Sequence, residues 1–404
     1  MMTVLSVFGT RPEVIKMAPV LKELERYPAE VRSVVCSVGQ HRQMLDQAMA
    51  LFAIVPDYEL HVMQADQRLA QLTSKLFAAL DDVVEAVKPD WVVAQGDTTT
   101  VFVAAMEAFY HGIPFGHVEA GLRTGDKRRP FPEEINRRIA DVVADVYFAP
   151  TDRARAALLS EGCAEADVFV TGNTVIDALQ DVASRAYRWE AGPLASIPRD
   201  RRLVLITAHR RESFGAPFRE LCLAIRELAA RFERQQVHFV YPVHLNPNAR
   251  EPVMAILAGV TNVSLIEPLD YLSLVQLMKR SVLVLTDSGG IQEEAPALGI
   301  PVLVMRETTE RLEGLATGLV TLVGTDRARI VAEATKILSA PRRGPFDGVS
   351  PYGDGKAAGR IVSILRERFT RGAVRTTAIP RPIEDGITGE YSTTPDTTGR
   401  GGER

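Results

Sequence analysis

The chain has 404 residues, of which 46% are hydrophobic and 24% charged, with a formal net charge of −4. That is enough chain for two domains with large buried cores, in the proportions of an ordinary globular protein. A net-negative chain lacks the basic field that nucleic acid requires, and no apolar run reaches membrane-spanning length, so neither nucleic acid nor membrane is an expected partner.

The chain enters a strand at once, with no basic segment followed by an apolar stretch and a small-residue cleavage site. Cys36, Cys163 and Cys222 are odd in number and widely separated, so they read as buried thiols in a reducing compartment rather than as a disulfide framework or metal ligands. The expected location is the cytoplasm.

In chain order, strand and helix patterns alternate. Val4–Phe8 predicts a buried strand, followed by Gly9-Thr10-Arg11-Pro12-Glu13 and a helix to Tyr27. Val31–Ser37 is the next strand, with helical periodicity at His41–Phe52 and Gln67–Val87. Trp91–Gln95 ends in Gly96-Asp97-Thr98, and Phe115–Val118 ends in Glu119-Ala120-Gly121; Val146–Phe148 and Val168–Val170 complete this half. A polar stretch around Gly192–Arg201 separates a second series of strands at Leu203–Thr207, Val237–Tyr241, Val263–Ile266, Val282–Thr286, Pro301–Val304 and Val320–Val323. Such alternation predicts parallel sheets with right-handed crossovers, here two doubly wound α/β domains facing a cleft. The expected division is residues 1–172 and 173–356. Helix 357–371 follows the second sheet and is expected to cross back onto the first domain. The Thr-, Gly-, Pro- and Arg-rich tail 372–404 has no periodicity and is expected to be disordered.

Open parallel sheets bind ligands beyond the C-terminal ends of their strands, so the polar residues there are the candidates. In the first half these are Arg11, with Lys16 further along its helix, Asp97 and Glu119. In the second they are His209, Arg210, His244 and the turn Ser288-Gly289-Gly290. Asp97 also suits a helix cap, and Glu119 a solvated loop. Pro132-Glu133-Glu134 opens a helix with Pro near its first position and acids in its first turn, of which helix-dipole stability accounts for one. The run Leu283–Glu294 carries a strand, a tight turn and a helix start. Ser288 is placed to cap, two glycines permit close backbone approach, and the unpaired N–H groups form an anion site. Glu294 lies where a carboxylate could meet ribose hydroxyls. An ordinary turn with a capping serine is the alternative. No G-x-G-x-x-G follows a strand, and there is no P-loop, no G-x-S-x-G elbow and no Asp-x-Asp pair, which counts against NAD, P-loop ATP and metal-dependent sugar transfer.

The ordered set Gly9–Glu13, Gly96–Thr100, Gly116–Gly125, Pro132–Arg137, Thr171–Asn173, His209–Phe214, Tyr241–His244 and Thr286–Glu294 resembles the bacterial non-hydrolysing UDP-N-acetylglucosamine 2-epimerases from about residue 3 to 370. The resemblance implies the GT-B architecture, UDP held by the second domain, and no metal or cofactor. It assigns Asp97, Glu119, Glu133 and His209 to catalysis. Arg11, Lys16, Arg137, Leu269, Leu274, Ser288, Gly289, Gly290, Glu294 and Arg311 fall to substrate binding. A second UDP-GlcNAc acting as activator would use Gln43, Arg68, Arg210 and His244, and a homodimer is expected. Family members carry Gln and Phe where this chain has Leu269 and Leu274, His in place of Gln95, and Pro in place of Leu312. The implied reaction interconverts UDP-GlcNAc and UDP-ManNAc for cell-surface polysaccharide synthesis. Rival readings are a 2-epimerase of another UDP-sugar, such as a 2,3-diacetamido uronic acid, and a GT-B glycosyltransferase.

Overall fold

A computed structural model describes residues 1–39, 42–62, 67–341 and 350–372; the expected tail from 373 onward lies outside them. The first sheet contains β1 (Met2–Phe8), β2 (Val31–Ser37), β3 (Tyr58–Glu59), β4 (Trp91–Gln95), β5 (Phe115–Val118), β6 (Val146–Ala149) and β7 (Val168–Val170). Its helices are α1 (Arg11–Leu24), α2 (Arg42–Phe52), α3 (Leu69–Val87), α4 (Thr99–Tyr110), α5 (Glu133–Val143), α6 (Asp152–Ser160) and α7 (Thr174–Ser184). The second sheet contains β8 (Arg202–Thr207), β9 (Val237–Pro242), β10 (Val263–Ile266), β11 (Ser281–Thr286), β12 (Val302–Val304) and β13 (Val320–Leu322). Around it lie α8 (Ala216–Phe232), α9 (Pro247–Leu257), α10 (Tyr271–Arg280), α11 (Gly289–Ala297), α12 (Glu313–Ala316) and α13 (Arg327–Ser339), and α14 (Ala357–Thr370) closes the described chain.

Every pairing is parallel, in the orders β3-β2-β1-β4-β5-β6-β7 and β10-β9-β8-β11-β12-β13. Both orders reverse direction beside their first strand, between β1 and β4 and between β8 and β11. A crevice opens at such a point because the flanking helices leave toward opposite faces. The two crevices face each other, giving the GT-B arrangement of two Rossmann-like sheets across a cleft. The central strands are fully buried Val, Leu and Ile runs, as expected where helices cover both faces.

One apolar cluster runs from Met2, Val4 and Phe8 through Ile176, Leu179 and Val182 to Leu205 and Val284, so the two sheets share a core. Helix α7 is the element that joins them: it packs on α1 and α14 on one side and on α10 and α11 on the other. Helix α14 packs on α1, so the chain does return to the first sheet. Two details differ from the sequence reading. Strand β3 is two residues long and too short for its own apolar pattern; it forms because Cys36 and Ser37 leave a paired edge for Tyr58 and Glu59. Cys163 is only half-buried, whereas Cys36 and Cys222 are in the core, and all are free thiols. Among the described residues, no helix is long and apolar enough to cross a membrane.

Candidate functional site

The first wall of the cleft is built on three turns of the first sheet. Asp97 follows β4, and its Oδ2 accepts from Arg137 Nη2 at 2.5 Å while its carbonyl accepts from Asn136 Nδ2 at 3.0 Å. Asp97 does not cap α4; Thr98 does, its Oγ1 accepting from Val101 N–H. Arg137 therefore holds Asp97; its Nε and Nη1 are buried without hydrogen-bond partners among the described residues, Nη1 lying 3.4 Å from Glu134 Oε2. Glu119 follows β5 and is buried rather than solvated, with Oε2 accepting from Lys16 Nζ at 2.5 Å and from Gln95 Nε2 at 2.6 Å. Its φ of +66° is a left-handed conformation that a long side chain adopts only when surrounding bonds impose it. Gln95, where family members carry His, thus keeps a donor on this carboxylate.

Glu133 is the first residue of α5, with Pro132 one position earlier at the N-cap rather than inside the helix. The two adjacent glutamates divide their work. Glu134 is fully buried and accepts from Thr124 N–H and Gly125 N–H at 3.1 and 3.2 Å, so it is the one that stability explains. Glu133 Oε2 has no hydrogen-bond partner among the described residues. Burial, with the charge of Asp97 as a smaller contribution, raises the Glu133 carboxyl above the usual carboxylate range against the pull of Arg137 and Arg210.

The second wall carries the turns after β8 and β11. Asp287 Oδ2 accepts from the backbone N–H of His209 and Arg210 at 2.6 and 2.7 Å, tying these turns together. The His209 ring stacks on His244 with centroids 5.0 Å apart, and burial, opposed by Asp287 and reinforced by His244, lowers its pKa. Ser288 is the N-cap residue of α11, yet its side chain makes no capping bond; its own N–H donates to Thr286 Oγ1 at 2.9 Å instead. The serine hydroxyl is thus left uncommitted beside the first amides of α11, where the positive end of the helix dipole suits an anion. A Cβ at Gly289 would stand 2.8 Å from the Arg311 guanidinium, which is tied to Glu293 and Glu310 and would have to give way.

Glu294 is buried and accepts from Tyr271 Oη at 2.7 Å. Burial outweighs that bond and raises its pKa to about 7. Arg11, at the start of α1 on the first wall, feels the charge of Glu294 on the second, and its own charge acts on His209 there. Leu269 is buried and Leu274 partly so, both within the shared apolar cluster beside the Tyr271 helix.

Sequence reasoning missed Glu293, which occupies the centre of the cleft. Its Oε1 accepts from Arg311 Nε at 2.8 Å, and its Oε2 lies 3.3 Å from Asn173 Nδ2 and 3.5 Å from Lys16 Nζ. Arg311 also donates to Glu310. An ionic chain Glu119–Lys16–Glu293–Arg311–Glu310 therefore crosses from one sheet to the other. Burial alone would lower the Lys16 pKa, but Glu119 and then Glu293 outweigh it and raise it. The available signal was the doubled acid in Gln292-Glu293-Glu294 facing Lys16, where one acid suffices for a ribose.

The expected second binding site is only partly brought together. Arg210 and His244 flank His209, and the charge of Arg210 reaches Glu133. Arg68 is exposed at the start of α3, where its N–H donates to Gln71 Oε1, with no contact to Arg210 or His244 among the described residues. The Gln43 backbone lies in α2, but its side chain lies outside the described residues. For a metal, the one group with ligand spacing among the described residues is Asp81, Glu107 and His111, at the far end of α4 from Asp97.

Residues 22–366 match the UDP-N-acetylglucosamine 2-epimerase family. The chain is 50% identical over 375 residues to the UDP-N-acetylglucosamine 2-epimerase of Escherichia coli K12, covering 90% of this chain and 98% of that protein. This chain belongs to that family. The corresponding enzyme of Bacillus subtilis is 47% identical over 364 residues, covering 90% of this chain and 94% of that protein. Among solved structures, the Neisseria meningitidis UDP-GlcNAc 2-epimerase bound to UDP-GlcNAc superposes with a TM-score of 0.82 at 45% identity, covering 91% of this chain and all of that one. Staphylococcus aureus MnaA with UDP gives 0.84 at 40% identity, covering 94% and 99%.

Proposed function

We propose that this protein is an isomerase that interconverts UDP-GlcNAc and UDP-ManNAc by elimination and re-addition of UDP. The reading is carried by one observation: Asp97 and Glu119 at the first sheet's strand ends, with Glu133 at the start of α5, are grouped on the wall opposite the Ser288–Gly290 helix start. A C2–H flanked by no carbonyl is not acidic. As UDP departs, positive character at C1 makes that proton removable. A carboxylate takes the C2 proton, the C1–O bond breaks, and UDP and a glycal result. In the reverse step the β-phosphate oxygen re-forms the bond to C1, and a carboxylic acid delivers a proton to the other face of C2. The raised Glu133 carboxyl suits either duty near neutral pH.

The leaving diphosphate is received by Arg11, His209, the Ser288 hydroxyl, and the Gly289 and Gly290 amides, donors placed where charge develops. Glu294, with Tyr271 orienting it at 2.7 Å, takes the ribose hydroxyls. Lys16, bonded to Glu119 and close to Glu293, links the carboxylate wall to the nucleotide wall, so closure can exclude the water that would otherwise release UDP and glycal. Leu269 and Leu274 give the base an apolar surface without an aromatic ring. A second UDP-GlcNAc beside Arg210 and His244 is assigned as activator, supported by their position against His209 and Glu133. A second copy of the chain is assigned to the outer face of α3 and α4, supported by the exposed Phe109 and Tyr110 there.

The test is incubation with UDP-GlcNAc alone, followed by NMR. Appearance of UDP-ManNAc is expected. Turnover only with an acceptor present would make the protein a glycosyltransferase, and epimerisation only of a 2,3-diacetamido uronic acid would move the substrate.

A further inference from the structure

His117 lies on β5 two residues before Glu119 and is fully buried. Its Nδ1 is 2.6 Å from Asp141 Oδ1 and its Nε2 is 2.7 Å from the carbonyl oxygen of Gly96. A carbonyl only accepts, so Nε2 must carry a proton. Asp141 Oδ2 in turn accepts from Arg123 Nη2 at 2.7 Å and from Gly121 N–H at 3.3 Å, and the Arg123 charge at that distance favours the carboxylate form. With acceptors at both ring nitrogens, only the doubly protonated imidazolium satisfies both. The charged groups around the ring are Asp141, Arg123 and, behind Arg123, Glu161; the Phe115 ring packs at 5.9 Å. Burial alone would lower the His117 pKa and raise that of Asp141; their mutual attraction reverses both.

Three segments meet at this pair, and each carries one carboxylate of the cleft. Gly96 precedes Asp97. Gly121 closes the turn that carries Glu119, and a Cβ there would strike the Ala154 carbonyl, so only glycine lets this turn pack so closely on α6. Asp141 lies on α5, eight residues after Glu133 and one turn after Arg137, which holds Asp97. We propose that the buried His117–Asp141 ion pair is a positioning device that holds Asp97, Glu119 and Glu133 in one fixed constellation for C2 proton transfer. It rests on the epimerase reading above, and neither residue touches substrate.

The cost of losing such a strap falls on geometry, since about 1 Å of displacement costs on the order of 10²-fold in rate. In Asp141→Asn the volume is kept and the charge removed: a neutral imidazole can still donate to Gly96 and accept from the new amide, so what is lost is the attraction between the imidazolium and the carboxylate. The experiment measures epimer formed against UDP and glycal released, with UDP affinity as a check that the other wall is intact. The strap predicts at least ~10-fold slower epimerisation, a larger share of turnovers ending as UDP plus glycal, and UDP affinity within about 2-fold. Val92→Ala, a core cavity on the neighbouring strand, should lose stability without changing that share. An Asp141→Asn share equal to wild type overturns the proposal while leaving the epimerase reading intact; a wild type that does not epimerise UDP-GlcNAc overturns the epimerase reading itself. On the wild type, NMR of ¹⁵N-histidine-labelled protein should show both His117 nitrogens protonated at pH 8. A neutral tautomer there overturns the strap whatever the variant does.

Discussion

At the residue scale, the cleft concentrates groups whose charge is costly until a ligand arrives. Glu294 illustrates this. Its pKa rises from the ordinary 4.5 to about 7, and at ~1.4 kcal/mol per pH unit that is about 3 kcal/mol. Because the folded value is the higher one, this stability is fully present below pH ~4.5 and is lost as pH rises through about 7. Glu294→Gln, which still accepts from Tyr271, should therefore melt higher than wild type at pH 8 and match it at pH 4. The same variant should bind UDP about 10-fold more weakly, since a charge-assisted bond contributes ~1.5–3 kcal/mol. In wild type, UDP affinity should rise between pH 6 and 8 and become flat in the variant, as calorimetric titration would show. For the carboxylates, Asp97→Asn, Glu119→Gln and Glu133→Gln should each lower kcat by about 10²–10⁴-fold with substrate affinity far less changed. A variant with a normal rate removes that residue from the chemistry. Sequence pattern placed Asp97 and Glu119 at strand ends, which are legible from apolar runs, and Glu133 at a helix start, which is legible from Pro132 and the acids after it. It could not separate Glu133 from Glu134, or find Glu293, because those roles depend on partners 9 to 120 residues distant in the chain.

At the element scale, most strand bounds could be read from the sequence, since a strand buried on both faces is an uninterrupted apolar run. The turns were less legible. Ser288 has the residue type and position of a cap, yet its backbone turns inward onto Thr286 Oγ1, which itself lies 2.6 Å from Thr207 Oγ1. That preference comes from a neighbouring strand. Glu13 shows the same principle at the start of α1. Its carboxylate accepts from Gly9 N–H, Thr10 N–H and Thr98 Oγ1 at 2.9, 2.7 and 2.5 Å, joining the turn after β1 to the turn after β4. Glu13→Ala would strand these donors at ~1–3 kcal/mol each, so a loss of about 3 kcal/mol or more is expected from denaturant midpoints. A loss below about 1 kcal/mol would mean that the turns hold without it.

At the scale of the whole molecule, two sheets of the same winding order meet with their crevices face to face, and the ionic chain from Glu119 to Glu310 spans the gap. The alternating pattern gave the two series, but the chain of charges across them is a product of packing that no local window contains. Outside the cleft, Phe109 and Tyr110 are 52% and 57% exposed on α4, with Tyr110 stacked on Phe77. If this face receives a second copy, Phe109→Asp with Tyr110→Asp should sediment as a monomer where wild type sediments as a dimer; an unchanged dimer would place the interface elsewhere. The central claim is that these two walls remove the C2 proton as UDP leaves and return another to the opposite face. It is tested most directly by turnover of UDP-GlcNAc in heavy water, read by mass spectrometry and NMR. The account predicts UDP-ManNAc carrying deuterium at C2, with label also entering recovered UDP-GlcNAc as the reaction reverses. An epimer that keeps its original C2 hydrogen would contradict it.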